Sequence, residues 1–207
     1  VVYVKKWDPA WWATAWPVAV PVLAGDLLLG GFYWRQSNKL EDERAARADK
    51  RSFQHTLYVA NLTGVDMQDA DLTDLNFGGR DLSGANLSRA NLSEVRMLSA
   101  NLSRAKLFSA NLSGAKMLGA NLTEANLTDT DLAGANLFGA NLTGAHMLLA
   151  NLSGSALDRA RLTRAVMTMA NLTNASLSGV KWDPEDPPEW PESFDPPENA
   201  WDPDKDF

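Results

Sequence analysis

From residue 62 to residue 177, every fifth residue is Leu, Met or Phe, and no insertion breaks the 24 units of residues 60–179. The residue two before is usually Ala, the one between is often Asn or Asp, and the one after is often Ser or Thr. A period of five suits neither regular element. On an α-helix five residues advance about 500°, so the leucines would spiral over every face. On a straight strand an odd repeat flips the large residue from one side to the other. One arrangement keeps all of them inside: Ala in, Asn out, Leu in, Ser out, with a corner at the fifth position. The fifth residue is mostly Gly, Arg, Asp or Ser, and Gly tolerates sharp turns. A chain of such corners winds into an all-β solenoid.

The text A(D/N)LXX resembles the pentapeptide-repeat family, over 120 of the 207 residues. The resemblance implies a right-handed quadrilateral β-helix with four units per coil. The 24 units then make about six coils, a rod of ~29 Å at ~4.8 Å per coil.

The repeat is not uniform. Between bland units such as ANLS stand units that carry a base and then two large apolar residues: VRMLS at 95–99, AKLFS at 105–109 and AKMLG at 115–119. With 20 residues per coil, Leu98, Leu118 and Phe138 stack at an outward position with Arg96 and Lys116 beside them. The opposite side receives Phe108, Leu148, Leu149 and Met169, with Lys106 and His146. A stacked apolar column on a rod suggests a contact surface, and the flanking bases add specificity or anionic-lipid attraction. The expected partner-docking residues are therefore Leu98, Leu118, Phe138, Arg96, Lys116, Phe108, Lys106, Leu148, Leu149 and Met169.

Three further segments flank the rod, at residues 1–34, 35–54 and 182–207, with the repeats at 55–181. Residues 10–34 hold one charge in 25 residues, with Trp7, Trp11, Trp12 and Trp16 at one end and Phe32, Tyr33 and Trp34 at the other. An aliphatic stretch of that length between aromatic belts predicts one transmembrane helix. Asp26 within it is costly unless it meets a partner, and marks an intramembrane polar site. Residues 35–54 follow as a short polar helix, with Asn38 and Glu41 in a capping-box arrangement. Its surplus of bases predicts a single-pass membrane protein with the rod on the cytoplasmic side. The tail from Trp182 has seven prolines and ten acids. Trp182 falls on the Leu register, and the run Trp190 to Pro196 resembles the WPEGFDP ending common in the family, which predicts a cap, with a disordered acidic tail or a partner-binding peptide as the alternatives.

Charge and composition narrow the chemistry. No cysteine and only two histidines, His55 and His146, are present. Disulfides, thiolate nucleophiles and cysteine metal sites are excluded, and two histidines disfavour a multi-histidine metal site or a histidine relay. No P-loop, dinucleotide fingerprint or zinc-protease motif occurs, so no catalytic residue, metal or cofactor is expected. Some members of the family mimic DNA and bind gyrase; such mimicry needs a strongly acidic rod. Residues 55–181 carry 10 bases and 10 acids, so nucleic-acid mimicry is the alternative and no nucleic-acid partner is expected. The expected function is a non-enzymatic, membrane-anchored scaffold or accessory subunit of a membrane protein complex. A related alternative is a photosynthetic or respiratory complex in a thylakoid membrane, with a pigment, quinone or lipid beside the helix.

Overall fold

The computed structural model describes residues 61–192 and 194–199, together with Gln54. The predicted transmembrane helix over 10–34, Asp26 and most of the polar segment 35–54 lie outside the described residues. Among the described residues, no helix is long and apolar enough to cross a membrane.

Parallel bridges join residues 20 apart, from Asp66 with Asn86 to Arg161 with Lys181. Four five-residue units therefore complete one coil, and the chain has four faces. The first face runs through Asp81, Asn101, Asn121, Asn141 and Arg161, and the second through Asp66, Asn86, Lys106, Asn126, His146 and Val166. The third runs through Asp71, Asn91, Asn111, Asp131, Asn151 and Asn171, and the fourth through Asn76, Arg96, Lys116, Asn136, Ala156 and Ser176. The large residue of each unit and the Ala two before it point inward, and together they form one continuous core.

The units are not the short strands that alternation predicts. Each contributes one bridging residue, and the next residues but one form a turn. In the unit at Leu122, the Ala125 N–H donates to the Leu122 carbonyl at 3.0 Å, and Glu124 has a φ of 57°. That pairing, with positive φ at the third turn residue, is the signature of a type II turn. The corner thus takes two of the five residues, not one. Three remain, too few for a strand.

The ladder consumes backbone N–H groups along every face. The Asn121 N–H donates to Ala100 O at 2.9 Å, Leu102 N–H to Asn121 O at 2.7 Å, and Arg104 N–H to Thr123 O at 2.9 Å. The N–H of the fourth residue is left to a side chain. In bland units the Asn or Asp takes it, as Asn121 Oδ1 does from Thr123 at 3.1 Å. This Asx turn is the physical reason for Asn or Asp before the core residue. The same carboxamides also stack. Asn121 Nδ2 donates to Asn101 Oδ1 at 3.1 Å, and Asn101 Nδ2 to Asp81 Oδ1 at 2.9 Å.

Both ends of a solenoid expose ladder groups and core. At the first coil, the Gln54 carboxamide meets the fourth face. It accepts the Asn76 N–H at 2.6 Å and donates to Asn76 O at 2.7 Å. One side-chain amide thereby stands where the peptide groups of a further coil would pair. At the other end the register slips: Val166 bridges Glu189, 23 residues on. Trp182, Trp190 and Phe194 pack against the core. Trp182 meets Trp190 edge-on at 5.6 Å, and Trp190 stacks on Phe194 at 5.3 Å.

A candidate docking surface

The first and third faces are closed by polar ladders. The first keeps Thr or Ser at the fourth position from Thr63 to Thr163, and the third nearly so. Hydrogen bonds from the Ser83 amide and hydroxyl, and from Asn101, hold the Asp81 carboxyl below its ordinary range. Side-chain pairs cross the corners. Arg89 binds Asp69 through two bonds, of 2.7 and 2.8 Å. Arg104 binds Glu124 at 2.7 Å. The Arg89 bond, with a second from Gln68, lowers Asp69, and the Arg104 bond lowers Glu124.

The fourth face departs from this scheme in consecutive coils. Leu98, Leu118 and Phe138 hold its fourth positions and are exposed, by 46%, 43% and 37%. They are neighbours across the ladder, since the Ser99 N–H donates to Leu118 O and the Gly119 N–H to Phe138 O, both at 2.9 Å. Arg96 and Lys116 replace Asn at the bridging position. Neither side chain carries an acceptor, so the Asx bond is forgone under Leu98 and Leu118. At Phe138 it survives, with Asn136 Oδ1 accepting at 3.1 Å. The Arg159 guanidinium lies 5.4 Å from the centre of the Phe138 ring, a cation–π contact. Sequence reasoning missed Arg159; the signal was its place one coil above Gly139, at the corner beside the column.

The second face is different. Phe108 and Leu148 are exposed, but Thr128 stands between them in the ladder, so they form no continuous column. Lys106 and His146 hold bridging positions there. Leu149 and Met169 hold not the fourth but the fifth position, the second of the two corner residues, each with a φ of 60°. Large side chains seldom adopt that conformation. These two residues bear backbone strain and stay 49% and 67% exposed.

Among the described residues, no cluster of His, Asp or Glu could hold a metal ion. A shallow depression of about 280 Å³ lies between Ala170–Thr173 and Pro191, Glu192 and Phe194, beside the cap.

The profile described as pentapeptide repeats matches in eight copies, over residues 70–107, 105–144 and 145–181. The chain belongs to the pentapeptide-repeat family. Members of this family fold as right-handed quadrilateral β-helices. The pentapeptide-repeat protein Rfr23 of the cyanobacterium Cyanothece 51142 is 34% identical, with a TM-score of 0.45 over 61% of this chain and 88% of that one. A pentapeptide-repeat protein of the Arabidopsis thaliana thylakoid lumen is 28% identical, with a TM-score of 0.36 over 54% and 71%. Full-length QnrB1, a plasmid-mediated fluoroquinolone resistance protein, is 19% identical, with a TM-score of 0.19 over 60% and 87%. Among curated protein sequences none matches the chain.

Proposed function

We propose that this pentapeptide-repeat protein is a non-enzymatic docking rod, a membrane-anchored scaffold or accessory subunit that holds a partner protein on its fourth face. The observation that carries the reading is the unbroken column Leu98, Leu118 and Phe138, exposed and flanked by Arg96 and Lys116. The coils of Leu98 and Leu118 forgo an Asx bond that bland units make, and still leave those side chains 46% and 43% exposed. The apolar segment 10–34 supplies the anchor, and its flanking charge sets the rod on the cytoplasmic side. Ten bases against ten acids in the rod suit a protein-docking surface better than a mimic of nucleic acid.

The double variant Leu118→Asp with Phe138→Asp tests the reading in the full chain, purified from its native membrane in mild detergent. The expected result is an unchanged thermal unfolding profile with loss of the co-purifying partner. Retention of the partner by a folded double variant sinks the reading. Extraction of the wild-type chain into detergent-free buffer sinks the anchor, and protease access to the rod only from the opposite side of sealed vesicles overturns its orientation.

A further inference from the structure

The fourth face restricts what can sit on it. Backbone N–H groups along its ladder are engaged between coils, as Arg96 N–H to Leu75 O at 2.9 Å and Met97 N–H to Lys116 O at 2.7 Å show. A partner therefore has no exposed sheet edge to extend here, and strand addition, which needs one, is excluded along the face. Apart from the uncapped Leu98 and Leu118 amides, contact runs through side chains.

Those side chains have a repeat. Coils are spaced by about 4.8 Å, so the column offers an apolar residue at that interval along the rod. A helix presents one apolar row per turn, about every 5.4 Å. Over the two steps from Leu98 to Phe138 these drift apart by only about 1 Å. The corners beside the middle of the column are Gly114 and Gly134 on one side, Gly119 and Gly139 on the other, all at positive φ. These glycines raise no side chains of their own, and a Cβ at Gly134 or Gly139 would meet nothing within 4 Å, leaving a shelf there for a cylinder about 10 Å across. The Glu94 carboxylate lies over Gly114 and covers the shelf at that corner.

Charge selects among helices. Beside the column, the bridging positions hold Asn76, Arg96, Lys116 and Asn136, with Arg159 over Phe138. Two carboxylates border the column: Glu94 over the Gly114 corner, and Asp158 at the far end, bonded to Ser176 Oγ and the Ser178 N–H at 2.6 and 3.2 Å. A second copy laid antiparallel, Leu118 against Leu118, would also bring Lys116 against Lys116, which costs binding. Resting on the docking reading above, we infer that the fourth face receives an amphipathic helix of the partner, laid along the rod, with an apolar stripe flanked by Asp and Glu.

The chain lacks cysteine, so Leu118→Cys gives a single labelling site for the test. The probe is a synthetic amphipathic peptide of about five turns, Leu on one stripe and Glu on both flanks. Its controls are the same peptide with Lys flanks and a scramble of equal composition. Fluorescence anisotropy with the unlabelled full chain in mild detergent should show the Glu-flanked peptide binding about tenfold tighter than the Lys-flanked one. Lys116→Glu with Arg96→Glu should reverse that order, and Leu118→Asp should abolish binding. Equal binding of the scramble, no binding, or an order unchanged by charge reversal overturns the inference. So does a dimer by sedimentation that Leu118→Asp disperses, which assigns the face to a second copy. Quenching of a bimane at position 118 by brominated lipid assigns it to a bilayer and overturns the inference equally. Partner loss in Leu118→Asp with Phe138→Asp, combined with no peptide preference, would leave the docking reading standing and remove the helix.

Discussion

The first and fourth faces of the rod are built on the same ladder and the same core, yet spend their outward positions differently. On the first face Asn101, Asn121 and Asn141 each cap the amide two residues on, and Asn121 bonds the carboxamide below. On the fourth, Arg96 and Lys116 occupy the equivalent places, and Leu98 and Leu118 follow where Ser or Thr would stand. The core beneath does not register the change: Leu102, Leu122, Met97 and Met117 are all fully buried. Fold and surface are separable in this architecture. Inward positions determine that the chain winds, and outward positions can be rewritten coil by coil at modest cost.

The strongest challenge to that separation is a cavity. Leu122→Ala on the first face and Met117→Ala beneath the fourth should each cost about 2–5 kcal/mol, read from urea unfolding. A much smaller loss for Met117→Ala would mean that the decorated face is loosely packed and its column partly structural. Next in size are the outward positions. Asn121→Ala removes the amide cap, a hydroxyl bond from Thr123 at 2.6 Å and a rung of the ladder, and should cost about 1–2 kcal/mol. Lys116→Ala removes none of these and should leave unfolding within about 0.5 kcal/mol. Equal losses would abolish the contrast between the faces.

Smaller still is the corner beyond the second face. Met169→Gly relieves a bulky residue at positive φ and should raise stability by up to about 1 kcal/mol. A loss instead would show that Met169 packs within the chain. The smallest effect is electrostatic. Asp69, Asp81 and Glu124 are held below their ordinary carboxylate ranges by hydrogen bonds, from Arg89, from Ser83 and from Arg104 respectively. A lowered folded-state pKa means stability that is present above the unfolded-state value and lost as pH falls through the folded one. Unfolding midpoints should therefore hold near neutrality and decline in acid, below the ordinary carboxylate range. Glu124→Gln should flatten a part of that decline, while a variant on the fourth face, Lys116→Gln, should leave it unchanged.

Much of the fold was legible because the repeat is unbroken. A large apolar residue at every fifth position from Leu62 to Leu177 marks the inward set without a structure. Column membership followed once the family resemblance fixed four units per coil, and it placed Leu98, Leu118 and Phe138 together. It also grouped Phe108 with Leu148 without weighing Thr128 between them. It brought Leu149 and Met169 outward, as their exposure shows, without separating their fifth position from the fourth position of Phe108 and Leu148. The reason is that a period of five specifies side, not turn: only the hydrogen bond closing Leu122 to Ala125, with Glu124 at positive φ, shows that the corner spans two residues.

The sequence by itself determined the period, the inward residues, the evenly balanced charge of the rod and the units that break its monotony, since each is a property of spacing and residue type. Only the tertiary structure decided what meets across coils: Arg159 over Phe138, Gln54 on the Asn76 peptide groups, and Glu189 bridging Val166 after a slip of three residues. Such contacts join residues 21 to 23 positions apart. They depend on how far each corner turns the chain, an angle written in backbone torsions rather than in the pattern of polar and apolar residues.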